Sequence, residues 1–203
     1  LADLHLPADD REFDYFCVKE AVMPFGRFPG SDVVLGPEMK STGEVMGIAG
    51  NFPAAFTKTQ LAIDYEPPRG GEVFISVNDG DKRNITAIAR SIARLGFSLV
   101  ATTGTARALR ASGIECEEVG KIHAGSHTIL DRIASGEIVL MINTPFGSST
   151  NTDGYEMRAA CVRHGVSYCT TLAGAQALIA GMEAVRETGL DVIALQDLPQ
   201  WEG

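Results

Sequence analysis

With 203 residues, 45% of them hydrophobic, the chain can bury one good core of about 130 to 150 residues plus an appendage, whereas two complete domains would be crowded. The formal net charge of −9 and pI near 4.9 give a field of the wrong sign for nucleic acid or an anionic membrane as main partner, though local lysines and backbone N–H groups can still hold a small phosphorylated ligand. The apolar stretches fall short of the roughly 18 residues a span needs, and residues 1–20 lack a basic, then hydrophobic, leader, so the sequence reads as soluble and cytoplasmic.

The chain begins at Leu1 rather than Met and reads as a piece of something longer. A strand-like run covers 13–22, and Pro24, Gly26, Pro29, Gly30, Gly36, Pro37, Gly43, Gly47 and Gly50 then predict a loop-rich stretch. A short helix is predicted over 53–62, with Pro53 in its first turn, where a missing N–H costs nothing. One strand and one helix cannot enclose a core, so 1–63 should pack on something else. Residues 64–71, with two prolines and two glycines, read as a linker.

From 72 to 203 the pattern alternates. Strands are predicted near 72–77, 97–101, 115–119, 138–142, 166–169 and 192–196, and helices over 81–95, 105–111, 126–135, 153–164 and 173–188. Such alternation predicts right-handed βαβ units, hence an α/β fold with a doubly wound, mainly parallel sheet of five to six strands. Cys17, Cys116, Cys161 and Cys169 show no C-x-x-C spacing and read as reduced, mostly buried thiols. His123 and His127 are four apart, but Gly125 lies between them and no clear third ligand follows, so no metal site is expected. Asp131 with Arg132, and Glu156 with Arg158, read as solvated helix charges.

Three strand ends carry the residues of interest. Ser76 and Lys82 flank the first turn, where Asp79 or Asp81 can cap the helix and Gly80 permits the tight bend. Thr102, Thr103 and Thr105 surround Gly104, which lets an anion approach the backbone. Asn143 and Thr144 end the fourth strand, with Lys121 in the preceding loop. In a parallel sheet these ends lie side by side with helix N-termini behind them, which favours a phosphate. Taken singly, Lys82 reads as an ordinary solvated lysine and a threonine as a simple N-cap. The set holds no evident nucleophile or acid/base pair, which points to binding rather than catalysis.

The run Gly36-Pro-Glu-Met-Lys-Ser-Thr-Gly-Glu-Val-Met-Gly47, preceded by Lys19-Glu20 and Pro24-Phe25, resembles the C-terminal part of the carbamoyl phosphate synthase large subunit. The resemblance covers essentially the whole chain. It implies that 1–63 is the short tail of an ATP-grasp domain, 64–71 a linker, and 72–203 a methylglyoxal-synthase-like allosteric domain. It further implies a sensor for nucleotide monophosphates, with UMP inhibiting and, in some bacteria, IMP activating. The contacts it implies are Ser76, Lys82, Thr102, Thr105, Lys121, Asn143 and Thr144, and its ornithine site maps onto Glu20, Met23, Tyr168 and Thr170. Packing between the two parts is an equal reading of Glu20 and Tyr168. Pro145 stands where relatives often carry a hydroxyl, and Ser148-Ser149 where some carry a basic pair.

The parent implied by the resemblance joins bicarbonate, glutamine-derived ammonia and two ATP, with Mg or Mn, for pyrimidine and arginine biosynthesis, and partners a glutaminase small subunit. Its ATP and metal ligands are expected before Leu1, leaving this stretch without cofactor or catalysis. The alternative is a methylglyoxal-synthase-type lyase acting on dihydroxyacetone phosphate. That reaction needs carboxylates where Ser126 and Thr144 stand. A cyclohydrolase domain of purine biosynthesis would leave 1–63 without a place, and a purely structural module would leave the strand-end cluster unexplained.

Overall fold

A computed structural model describes residues 14–23, 25, 33–34, 41, 43–120, 128–145, 152–192, 194 and 196. The first unit is an antiparallel ribbon of β1 (Phe16–Val22) and β2 (Gly43–Ala49), in register from Phe16 opposite Ala49 to Val22 opposite Gly43. Behind it lies α1 (Phe52–Ala62), started by Asn51, whose side chain accepts a 2.9 Å hydrogen bond from the Ala54 N–H. Strand β2 occupies part of the stretch predicted to be loop. Its Gly47 serves packing instead of turning: a Cβ there would stand 2.0 Å from the Ala55 carbonyl oxygen, so only glycine lets α1 approach.

The second unit is a parallel sheet in the order β5-β4-β3-β6-β7. Its strands are β3 (Glu72–Ser76), β4 (Ser98–Thr102), β5 (Glu117–Val119), β6 (Ile138–Asn143) and β7 (Ser167–Cys169). The connecting helices are α2 (Ile85–Arg94), α3 (Thr103–Ala111), α4 (Ile129–Ala134), α5 (Thr152–His164) and α6 (Leu172–Thr188). Strand alternation divides the core between the faces. Val73, Ile75, Leu99 and Ala101 meet α2, α3 and α6, while Phe74, Val100 and Met141 meet α4 and α5. This is the doubly wound α/β architecture expected from the alternation.

The sheet has five strands. At the predicted sixth, residues 192, 194 and 196 lie outside any strand, and Val192 is 98% exposed. Gly189, at φ +70°, ends α6 and turns the chain. Leu190 then packs on the cluster of Ala49, Ala54 and Ala55, and Asp191 pairs with Lys58 at 3.3 Å, so these two residues lie against the first unit.

The two units meet along α1 and α6. Thr57, buried, sits over Gly181, where a Cβ would fall 2.2 Å from its hydroxyl. Helix α2 begins at Ile85, after a turn over 79–84, rather than at 81. Helix α4 is opened by a reciprocal cap between Thr128 and Asp131.

Two charge readings are corrected. Arg132 is 6% exposed and is bound by Glu72, by Glu117 at 2.7 Å and by Glu137 at 3.5 Å, at the end of the sheet where β3, β5 and β6 begin. Arg158 is 4% exposed. Of the four thiols, all free, Cys161 is buried but Cys17 is exposed on β1. Among the described residues no helix is long and apolar enough to cross a membrane.

Candidate functional site

Strand order reverses between β3 and β6, because β4 and β5 extend to one side of β3 while β6 and β7 lie on the other. In open α/β sheets such a reversal opens a crevice beyond the carboxyl ends of the strands. Ser76 and Asn143, the last residues of β3 and β6, are register partners there. The Ser76 carbonyl accepts from the Thr144 N–H at 3.2 Å and from Asn143 Nδ2 at 3.3 Å, tying the two strand ends together.

The β4 end joins the same cluster. Thr102 Oγ1 lies within hydrogen-bond distance of Ser76 Oγ, 3.4 Å, and of Thr105 Oγ1, 3.3 Å. Thr105 is 1% exposed and its hydroxyl accepts from the Val77 N–H at 3.3 Å. Thr102 is the N-cap of α3, yet its hydroxyl makes no capping bond, so this is not the simple N-cap reading.

Lys82 completes the group. Its ammonium is placed 2.9 Å from where a Cβ on Gly104 would be, at the second residue of α3, and it pairs with the Asp79 carboxylate. A cation beside the positive end of a helix is disfavoured unless an anion shares the place, as Asp79 does here.

The structure thus brings together Ser76, Lys82, Thr102, Thr105, Asn143 and Thr144. Lys121 lies outside the described residues, as do His123, Ser126, His127 and Ser148-Ser149. Among the described residues no group of three or more potential metal ligands is assembled. Pro145 is exposed directly after the cluster. Asp81 does not cap α2; its carboxylate accepts from Asn78 Nδ2 at 2.6 Å.

Asn78 and Arg158 were not singled out from the sequence as site residues. Thr144 Oγ1 accepts from both the backbone N–H of Asn78, at 3.0 Å, and its Nδ2, at 3.1 Å, leaving the threonine O–H free to donate. Arg158 Nη1 donates to Asn143 Oδ1 at 2.9 Å. Its place among Met157, Ala160 and Cys161, which are buried, is the one sequence signal that α5 turns this arginine inward.

The residues mapped to an ornithine site are distributed differently. Glu20 accepts hydrogen bonds from Thr59, at 2.6 Å, and from Gln60, both on α1. It also lies close enough to Cys169 to reinforce the effect of burial, which pushes that thiol up to about 12. Burial likewise pushes Tyr65 up to about 12; its hydroxyl is enclosed near Ser167 without a hydrogen bond of normal geometry. Tyr168 packs in the cluster on the opposite sheet face from Cys169. Met23 and Thr170 are half-buried.

Comparison with known proteins defines the class first. The family described as MGS-like domain matches residues 84–170, the part of the sheet that carries Thr102, Thr105, Asn143 and Thr144. The "carbamoyl phosphate synthase large chain, C-terminal section" of Methanopyrus kandleri is 50% identical over 199 residues, covering 98% of this chain and 37% of that protein. The large chains of Myxococcus xanthus and Methanothermobacter thermautotrophicus are 47% and 45% identical, over 92% and 100% of this chain and 17% and 19% of their own lengths. The chain belongs to the carbamoyl phosphate synthase large-chain family, at its C-terminal section. It spans between about a sixth and about a third of these relatives' lengths. A solved methylglyoxal synthase from Elizabethkingia anophelis NUHP1 is 18% identical, with a TM-score of 0.46 over 55% of this chain and 78% of that one.

Proposed function

We propose that this chain is the regulatory section of a carbamoyl phosphate synthase large chain and senses a nucleotide monophosphate, UMP or IMP, through its phosphate. The observation that carries this reading is the placement of the Lys82 ammonium over Gly104 at the start of α3, beside the hydroxyls of Ser76, Thr102 and Thr105. A phosphate there replaces Asp79 as the counter-ion and accepts from hydroxyl and backbone donors. Asn143, the last residue of β6, and Thr144 directly after it flank the phosphate, and Lys121 is a further cation of this reading.

Family membership supports the remaining parts of this reading. Residues 1–63 are the end of an ATP-grasp domain, 64–71 a linker and 72–203 the allosteric domain, within a cytoplasmic enzyme serving pyrimidine and arginine synthesis and joined by a glutaminase subunit. ATP and its Mg or Mn belong to other parts of that enzyme. Effector binding reaches the first unit through the α1–α6 contact, where Thr57 sits on Gly181. Ornithine, with Glu20 as its carboxylate contact, is the second effector of this reading.

Calorimetric titration with UMP, IMP and inorganic phosphate tests it, repeated on Lys82→Ala and Thr105→Ala. Each variant should lose about 1.5 kcal/mol or more of binding free energy. Equal binding by wild type and both variants, or turnover of dihydroxyacetone phosphate by the wild type, would overturn it.

A further inference from the structure

We infer that Arg158 is a positioning residue that sets the Asn143 side chain so that its N–H, and not its carbonyl, is offered to the ligand. The inference rests on the strand ends being the effector site. The group read at β6 is then a hydrogen-bond acceptor, a phosphate or carbonyl oxygen, rather than an amino group.

The orientation of the amide is dictated by chemistry on both sides. A guanidinium carries only donors, so the group facing Arg158 Nη1 at 2.9 Å must be the amide oxygen. A backbone carbonyl carries only acceptors, so the group facing the Ser76 oxygen at 3.3 Å must be the NH2. Asn143 is 5% exposed and Arg158 4%, so both contacts are shielded from bulk water. The oxygen is committed beneath α5, one N–H is committed to β3, and the second N–H is what remains for a ligand.

The helix is shaped for this arrangement. Gly154 lies one turn before Arg158 on α5, and a Cβ there would come within 3.0 Å of Arg158 Nη1 and 3.6 Å of Asn143 Oδ1. A glycine inside a helix is destabilising, and here its missing side chain leaves the slot that the guanidinium fills. Thr144, the next residue, is arranged in the same sense: its oxygen accepts twice from Asn78, and its O–H is left to donate. The last residue of β6 and the residue after it thus both offer donors.

The test is titration with UMP combined with 15N-resolved NMR of the Asn143 side-chain amide, on wild type, Arg158→Met, Arg158→Lys and Gly154→Ala. In the wild type, UMP should shift one of the two amide protons strongly and leave the one bound to Ser76 in place. Arg158→Met should weaken UMP by about tenfold, the scale of one charge-assisted hydrogen bond, and abolish that shift. Arg158→Lys should restore much of both. Gly154→Ala keeps the charge but crowds the guanidinium, so it serves if Arg158→Met does not fold. Unchanged UMP affinity with the amide shift intact in either Arg158→Met or Gly154→Ala would overturn the positioning role. Lys82→Ala separates the two levels: if it loses UMP while the Arg158 and Gly154 variants do not, only the positioning role fails. If wild type and Lys82→Ala both fail to respond to UMP, IMP and phosphate, the effector site itself is rejected, and the positioning role with it.

Discussion

The ammonium of Lys82 stands against the bare Cα of Gly104, 2.9 Å from the point where a Cβ would be. These residues lie on different strand-to-helix turns of the sheet, and their contact brings a lysine ammonium to the N–H donors at the start of α3. The missing side chain at Gly104 is therefore a feature of the site rather than of the helix.

Replacing Gly104 with alanine separates these roles. The added methyl meets only the end of a flexible lysine, and alanine is the better helix former, so stability should hold or rise by up to about 1 kcal/mol. Phosphate and UMP binding should fall by about tenfold as Lys82 is displaced. Thermal melting and calorimetry read the two effects, and affinity that stays level would show Lys82 to be a bystander.

Thr105 serves both the fold and the site. Thr105→Ala leaves the buried Val77 N–H without its acceptor, at a cost of about 1 to 3 kcal/mol, and removes a hydroxyl from the cluster. Thr105→Ser keeps the oxygen and should recover most of the stability and the binding. A serine variant as impaired as alanine would mean that the threonine methyl, packed in the core, matters more than the hydroxyl.

The strands of the second unit are legible because Val73-Phe74-Ile75 and Leu140-Met141-Ile142 are buried on both faces, and such strands write continuous apolar runs. Strand β2 escaped because Gly43 and Gly47 look like turn punctuation, and only the approach of Ala55 on a neighbouring helix explains Gly47. The site's hydroxyls and Lys82 could be found from the strand ends alone. Arg132 could not, and Arg158 only through its apolar neighbours on α5: a charged residue on a helix reads as solvated, and the partners that hold these two are Glu72, 60 residues away, and Asn143 on another element. The apolar run after α6 looks like a strand locally, but Leu190 docks on α1 and β2, and residues 192, 194 and 196 lie outside any strand.

Coupling between the two units is open to a double-mutant cycle. A Cβ on Gly181 would collide with the Thr57 hydroxyl at 2.2 Å, so Gly181→Ala should destabilise by about 1 to 3 kcal/mol, the range of an overpacked contact. Adding Thr57→Ala removes the colliding atom, leaving the Pro53 carbonyl at 3.3 Å as the nearest obstacle, so the double variant should be more stable than Gly181→Ala alone. Urea midpoints measure this, and strictly additive effects would show that the helices do not meet through this pair.

At the other end of the sheet, Arg132 is buried among carboxylates that are themselves partly in water: Glu117 is 59% exposed and Glu137 41%. Arg132→Met leaves these acidic groups facing each other and should cost about 3 kcal/mol. Glu117→Gln, removing one exposed partner, should cost less than about 1 kcal/mol. Neither change should alter UMP affinity, because this cluster sits where the strands begin. A loss of affinity in Arg132→Met at unchanged fold would link the two ends of the sheet.

Cys161 gives the fold an alkaline limit with a definite sign. Its thiol is fully buried beside the Met141 sulfur, 3.8 Å away, and burial pushes it from 9.0 up to about 12. The folded chain therefore keeps this proton where the unfolded chain releases it. Stability from this group is complete below pH 9.0 and is lost as pH rises from 9.0 toward about 12, since the unfolded state then binds fewer protons. Tyr65 and Cys169, raised to about 12 by burial, act in the same direction from 10.0 and 9.0. Cys161→Ala should lower stability at neutral pH, through the cavity it leaves, yet flatten the alkaline decline. Urea unfolding from neutral pH to above 9.0 distinguishes these effects, while iodoacetamide should label exposed Cys17 and spare Cys161 in the native state. Parallel pH curves for wild type and Cys161→Ala would remove Cys161 as a source of the decline, and native-state labelling of Cys161 would show that α5 opens from the sheet.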